Sequence, residues 1–308
     1  MITKKVIQYE GFGKCVELCN GIVRVVATLE FGPRIIRYSF AEGENMFFEN
    51  PDKSFGDGGE DFDRYYGKGA AWYIYGGHRL WTSPEILPRT TYPDNDPVSY
   101  ELTESGVILT PPIQKWNQIG YVIEITLSEN SSDVTVSHRI TNHGPWDISL
   151  APWPITVMAP GGTEVIPQPD VVNGCLSNRQ LALWAYTKLN DPRVSWQHKF
   201  IVLKQDPTVD APFKFGINSQ HGYALYFNHG DVFIKRFDLV ENGTYPDGGM
   251  SYETYTNKLF LEMESLGELQ SIAPGNSITH NEYWALEKGE LPPLDDDSLE
   301  TAVKQYVK

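Results

Sequence analysis

Hydrophobic and polar residues alternate with a period of two over much of this chain. Residues 121–128 (YVIEITLS) put Tyr121, Ile123, Ile125 and Leu127 on one face and Val122, Glu124 and Thr126 on the other. Residues 133–141 (DVTVSHRIT) repeat the pattern, with Val134, Val136, His138 and Ile140 inward. Successive strand residues point to opposite sides, so this period predicts half-buried strands. The polar residues 129–132 between them predict a hairpin or an adjacent meander. Residues 21–29 and 33–40 are rich in β-branched side chains and are bounded by Asn-Gly and Gly-Pro. Further strands are predicted at 200–204, 222–227, 232–237, 258–264 and 278–286. Helical period is scarce. It predicts a short helix at 176–185, capped by Ser177, and another in the tail 290–308. The expected class is all-β: a large antiparallel β-sandwich with one or two short helices, in a single domain over 1–308.

The run 258–264 (KLFLEME) has an unusual face. Leu259, Leu261 and Met263 share one side, and Phe260, Glu262 and Glu264 share the other. The apolar side belongs in a core. The acidic side belongs on a cleft or in solvent, and carboxylates beside aromatic rings are the material of proton transfer on a polar substrate. Two long irregular stretches, 51–71 and 84–96, interrupt the strands. Such loops are usually functional, and they are predicted to wall a cleft over a sheet floor.

A second cluster lies at 75–85 (YGGHRLWTSPE). Gly76-Gly77 permits a tight backbone path, and His78, Arg79 and Trp81 follow within a few residues. They offer a proton carrier, a fork of donors and a stacking surface, the parts of a sugar-binding trio. A surface His beside an Arg paired to Glu85 is the plainer alternative. Trp153 stands between Pro152 and Pro154, either presented to a cleft or marking a strand edge. His138 lies on an apolar face and reads as a core histidine. His143 sits in a turn. His221 and His229 are too far apart along one strand to share an ion, roughly 26 Å at about 3.3 Å per residue. No metal site is expected, since the H-E-x-x-H, paired C-x-x-C and EF-hand spacings are all missing.

Composition narrows the partners. Among 308 residues, 8 are Trp and 17 are Tyr, which suits strands and stacking on sugars. The formal net charge of −15 disfavours a nucleic-acid surface, and no segment reads as a membrane helix. Three cysteines (Cys15, Cys19, Cys175) lack a disulfide framework, and the N-terminal residues lack an apolar signal core. A reduced, cytoplasmic setting is expected.

Four segments occur in a telling order: Phe31-Gly32-Pro33-Arg34-Ile35-Ile36 with Glu44-Asn45-Met46, then Gly76-Gly77-His78-Arg79, then His138-Arg139-Ile140-Thr141-Asn142, then the closing LEMESLGELQSIAPGNSITHNEYWAL. From about residue 20 to 286, this order resembles the galactose mutarotase-like superfamily, the aldose 1-epimerases and their relatives. The resemblance implies a supersandwich with a sugar cleft on a concave face and no cofactor. It implies an isomerase that interconverts sugar anomers by acid–base ring opening, with Glu262 as base and His78 as acid or substrate-binding group. Arg79, Trp81, Glu264, Trp153 and Asn142 become substrate-binding residues. Where the family carries a second His before a Pro, this chain has Trp153-Pro154. A non-catalytic carbohydrate-binding protein and a glycoside hydrolase or lyase are the alternatives. Glu262 and Glu264 leave one strand face together, which makes them a poor hydrolytic pair across a scissile bond.

Overall fold

The computed structural model describes residues 1–172 and 174–307. Its strands form two large antiparallel sheets packed face to face. In spatial order, the first runs Thr3–Tyr9, Gly13–Cys19, Val23–Thr28, Ile35–Phe40, Gly77–Ser83, Ile148–Met158, Leu261–Ser265, Tyr252–Thr256, Phe213–Ile217 and Leu181–Leu183, with Gln270–Ile272 beside Ile148–Met158. The second runs Val194–Trp196, Phe200–Lys204, Thr163–Pro167, Tyr223–Asn228, Asp231–Phe237, Ser277–Lys288, Val134–Asn142, Ile119–Leu127, Gly106–Thr110 and Ser99–Leu102. The predicted sandwich is therefore present. The alternation read at 121–128 and 133–141 is the adjacent pair Ile119–Leu127 and Val134–Asn142, with Ile123 opposite His138.

The core lies between the sheets. Leu80, Met158, Leu261 and Met263 of the first sheet meet Ile123, Val136, Phe233 and Trp284 of the second. The outer face of the second sheet is covered by the helix Asp296–Tyr306, whose Leu299 and Val303 sit against Val165, Leu225 and Ile234. Asp295 caps it by accepting from the Ser298 N–H at 3.0 Å. The outer face of the first sheet is not covered in this way. Segments of chain between its strands rise around it instead, and the helix Glu60–Tyr66 forms inside the stretch read as irregular.

Two expectations need correction. Residues 176–185 form no helix. Leu181–Leu183 is an edge strand paired with Phe213–Ile217, because tertiary pairing outweighs a weak helical pattern. The two prolines beside Trp153 do not mark a sheet edge, since Ile148–Met158 lies inside the sheet. Its partners on one side are interrupted: Leu261–Ser265 pairs with residues 155–158, and Gln270–Ile272 pairs with residues 148–150. Pro152 and Pro154 fall in that gap. The Pro152 carbonyl faces it and accepts from the Gly267 N–H at 2.8 Å. A proline nitrogen on that side breaks no ladder bond.

Among the described residues, no helix is long and apolar enough to cross a membrane.

Candidate functional site

The outer face of the first sheet carries a cleft of about 460 Å³, within the size range of small-molecule sites. Strand alternation decides which residues reach it. On Gly77–Ser83, Arg79 and Trp81 face the cleft, while His78 and Leu80 face the core. On Leu261–Ser265, Glu262 and Glu264 point to the cleft side, and Leu261 and Met263 point to the core. Lys214 and Tyr255 reach the floor from the next two strands. Phe55, Gly56 and Asp57 build one wall, and Glu85, Leu87 and Thr91 build another. These belong to the two loops expected to do so. Trp184 and Tyr186 add a third wall that the sequence reading missed.

Two glycines set the approach of the Gly77–Ser83 strand. Gly76 has φ 91° and Gly77 has φ 63°. A Cβ on Gly76 would lie 2.0 Å from the Phe48 carbonyl oxygen, and one on Gly77 would lie 2.2 Å from that of Ile35. Only glycine allows this close backbone contact.

The floor is a grid of charges and rings. The Arg79 guanidinium lies over Trp81 at 4.1 Å and near Trp72 at 5.0 Å, and its Nη2 donates to Glu262 Oε1 at 3.3 Å. Among the described residues, Arg79 Nε and Nη1 and Trp72 Nε1 are buried donors without an acceptor. Lys214 Nζ sits 2.8 Å from both Glu253 and Glu264 and lies over Trp153 and Trp184. Trp153 Nε1 donates to Glu264 Oε2 at 2.9 Å. Glu264 is fully buried beneath this arrangement, so it braces the floor and does not present itself to a ligand. Burial raises the Glu262 carboxyl, Arg79 opposes the rise and Glu264 adds to it, leaving the group at about 7. Burial likewise carries Glu253 up to about 8 against the pull of Lys214.

His78 and Asn142 are elsewhere. The sequence reading grouped His78 with Glu262, yet neighbouring residues of a strand face opposite ways, and Arg79 takes the cleft side. His78 is wholly buried between the sheets. Its Nε2 lies 2.7 Å from His138 Nε2, and its Nδ1 lies 2.9 Å from Thr156 Oγ1. The His280 carbonyl, 3.0 Å from His138 Nδ1, can only accept. His138 therefore carries its proton on Nδ1, and its Nε2 accepts from His78. His78 Nδ1 then accepts from Thr156. Burial, with His138 and Lys235 adding, holds His78 well below its ordinary range, and burial holds His138 at about 3. Asn142 organises a turn in the second sheet. It donates to the carbonyls of Trp146 and Ile272 and accepts from the Gly144 N–H.

His78, His138 and Glu282 have donor atoms within 4.8 Å of one another. Those atoms are engaged already. Glu282 accepts from Lys235 and Ser265 on Oε1 and from Trp284 on Oε2. The Lys235 ammonium, 2.8 Å from Glu282, occupies the place of a cation. The set is a closed hydrogen-bond network joining the two sheets.

No protein-family model matches the chain, and no curated protein matches it in sequence. Solved structures do match in shape. A putative aldose 1-epimerase from Klebsiella pneumoniae subsp. pneumoniae MGH 78578 superposes with a TM-score of 0.61 at 13% identity, over 99% of this chain and 86% of that one. A galactose mutarotase-like protein from Lactobacillus casei ATCC 334 gives 0.56 at 8% identity, over 92% of this chain and 100% of that one. The chain has the galactose mutarotase-like fold. A TPR-domain containing protein from Parabacteroides distasonis ATCC 8503 also matches, with a TM-score of 0.62 at 12% identity, over 90% of this chain. Only 48% of that longer protein is covered, so this fold is about half of it. Identities this low carry the fold alone, and they bear out the resemblance read from the sequence at that level. The mutarotase-like sheet places Glu262, Arg79, Trp81 and Trp153 together on one open face.

Proposed function

We propose that this protein binds a neutral sugar in the cleft and interconverts its anomers, with Glu262 as the base. The observation that carries the reading is Glu262 itself. It is a cleft-floor carboxyl whose surroundings bring it close to neutrality, where a general base works best. Trp72, Trp81, Trp153 and Trp184 line the cleft, an aromatic surround that suits the apolar edge of a sugar.

The position of His78 behind the sheet favours a second reading, a carbohydrate-binding protein without catalysis. Exchange NMR on a panel of free sugars separates the two. Exchange between α and β signals, accelerated by the protein and lost in Glu262→Gln, supports the isomerase. Tight binding without acceleration favours the binding protein. Release of reducing ends from a glycan speaks for a hydrolase.

The pH dependence has a definite sign. Glu262 must be ionised to accept the anomeric proton, and its value lies above the ordinary carboxylate range. The rate should therefore rise roughly tenfold per pH unit below about 7 and level off above it. A plateau reached already near pH 5 would contradict a raised carboxyl as the base.

A further inference from the structure

Ring opening needs an acid as well as a base, and His78 is on the wrong side of the sheet to serve. This inference rests on reading the cleft as a site of anomer exchange. The anomeric hydroxyl and the ring oxygen share one carbon, so base and acid must stand side by side. Register on the floor supplies such a neighbour. Tyr255 is paired with Glu262 across adjacent strands, and Lys214 is paired with Tyr255 across the next. All three line the cleft. Directly paired strand residues on one face have Cβ atoms about 4.5–5.5 Å apart.

Three other donors nearby are committed or unsuitable. Trp153 Nε1 is bound to Glu264. Lys214 Nζ is held by the Glu253 and Glu264 side chains, and the Arg79 guanidinium does not give up a proton. Tyr186 stands on the wall with 43% of its surface exposed. The Tyr255 hydroxyl oxygen accepts from Asn257 Nδ2 at 3.3 Å. Its own proton meets no acceptor among the described residues.

We propose that Tyr255 is the proton donor to the ring oxygen, working beside Glu262 as base. In the opening step, the Glu262 carboxylate takes the proton of the anomeric hydroxyl. The electrons of that O–H bond form the carbonyl of the open chain. The bond from C1 to the ring oxygen breaks, its electrons stay on that oxygen, and the Tyr255 proton joins it. After rotation about C1–C2, the freed hydroxyl attacks the other face of C1 and returns its proton to Tyr255. The protonated Glu262 gives its proton to the new anomeric oxygen. Both side chains end as they began. Burial raises the Tyr255 hydroxyl above its ordinary range, the Asn257 hydrogen bond lowers it, Glu262 and Glu264 raise it and Lys214 lowers it least, so it stays protonated at neutral pH.

The test compares exchange rates, KM and pH profiles of the full-length protein, Tyr255→Phe and Glu262→Gln, on a sugar that the wild type turns over. Tyr255→Phe keeps the ring and removes the proton. Its kcat is expected to fall roughly 10²–10⁴-fold with KM unchanged. The wild-type rate is expected to hold its plateau from about 7 up to the ordinary tyrosine range near 10. A Tyr255→Phe kcat within twofold of wild type, while Glu262→Gln is inactive, overturns the role of Tyr255 and leaves the cleft reading standing. Raised KM with unchanged kcat makes Tyr255 a binding group and overturns it too. A rate that falls again just above about 7 points to an acid titrating there instead, and this result is read on the wild type alone. Absence of exchange by the wild type with every sugar overturns the cleft reading and this proposal together.

Discussion

Glu262→Gln should lower anomer exchange by roughly 10²–10⁴-fold while sugar still binds. The amide keeps the shape of the carboxyl and still accepts from Arg79 Nη2, which lies 3.3 Å from Oε1. It cannot take a proton from the anomeric hydroxyl. A transition-state group lost in this way lowers kcat and leaves KM largely in place. The expected pattern therefore has two parts, a collapsed rate and a retained affinity. A lowered affinity with an unchanged rate would make Glu262 a ligand for hydroxyls and no more. The same variant should lose the ascending limb of the pH profile, because no group titrating near neutrality would remain at that position.

Lys235→Met should cost about 3–5 kcal/mol of stability. Lys235 is fully buried between the sheets, far from solvent and on the opposite side of the first sheet from the cleft. Its ammonium reaches Glu282 Oε1 at 2.8 Å, Thr156 Oγ1 at 2.9 Å and the Met263 carbonyl at 2.9 Å. Removing it leaves Glu282 as a buried charge to which, among the described residues, only Ser265 and Trp284 donate. The desolvation penalty of that carboxylate then has little to offset it. Adding Glu282→Gln should recover a large part of the loss, since the stranded charge is gone. Urea denaturation of the single and double variants measures this directly. A cost below about 1 kcal/mol for Lys235→Met would mean that the network contributes little to joining the sheets.

The strands of the sandwich were legible because their alternation is local. Each of Ile119–Leu127, Val134–Asn142 and Leu261–Ser265 carries its own two-sided pattern, and the pattern alone places Glu262 and Glu264 on one face. The different fates of those two residues were not legible. Glu264 is sealed by Lys214 and Trp153, which arrive from distant parts of the chain, whereas Glu262 is left open to the cleft. His78 shows the opposite failure. The glycines before it resemble a turn that would release His78 and Arg79 in one direction, yet the strand starts at Gly77 and sends them to opposite faces. The signal for the true neighbours was present in short stretches such as FKFGI and YETYT. Lys214, Glu253 and Tyr255 alternate there with core residues, but such brief runs become strands only through pairing.

The most direct test of the central claim is a crystal structure with a turned-over sugar bound. The sugar ring should lie among the tryptophans of the outer cleft. Its anomeric oxygen should lie about 2.6–3.2 Å from a Glu262 carboxyl oxygen, with the ring oxygen at a similar distance from the Tyr255 hydroxyl. A sugar seated elsewhere on the molecule, or one whose anomeric carbon points away from Glu262, would contradict it.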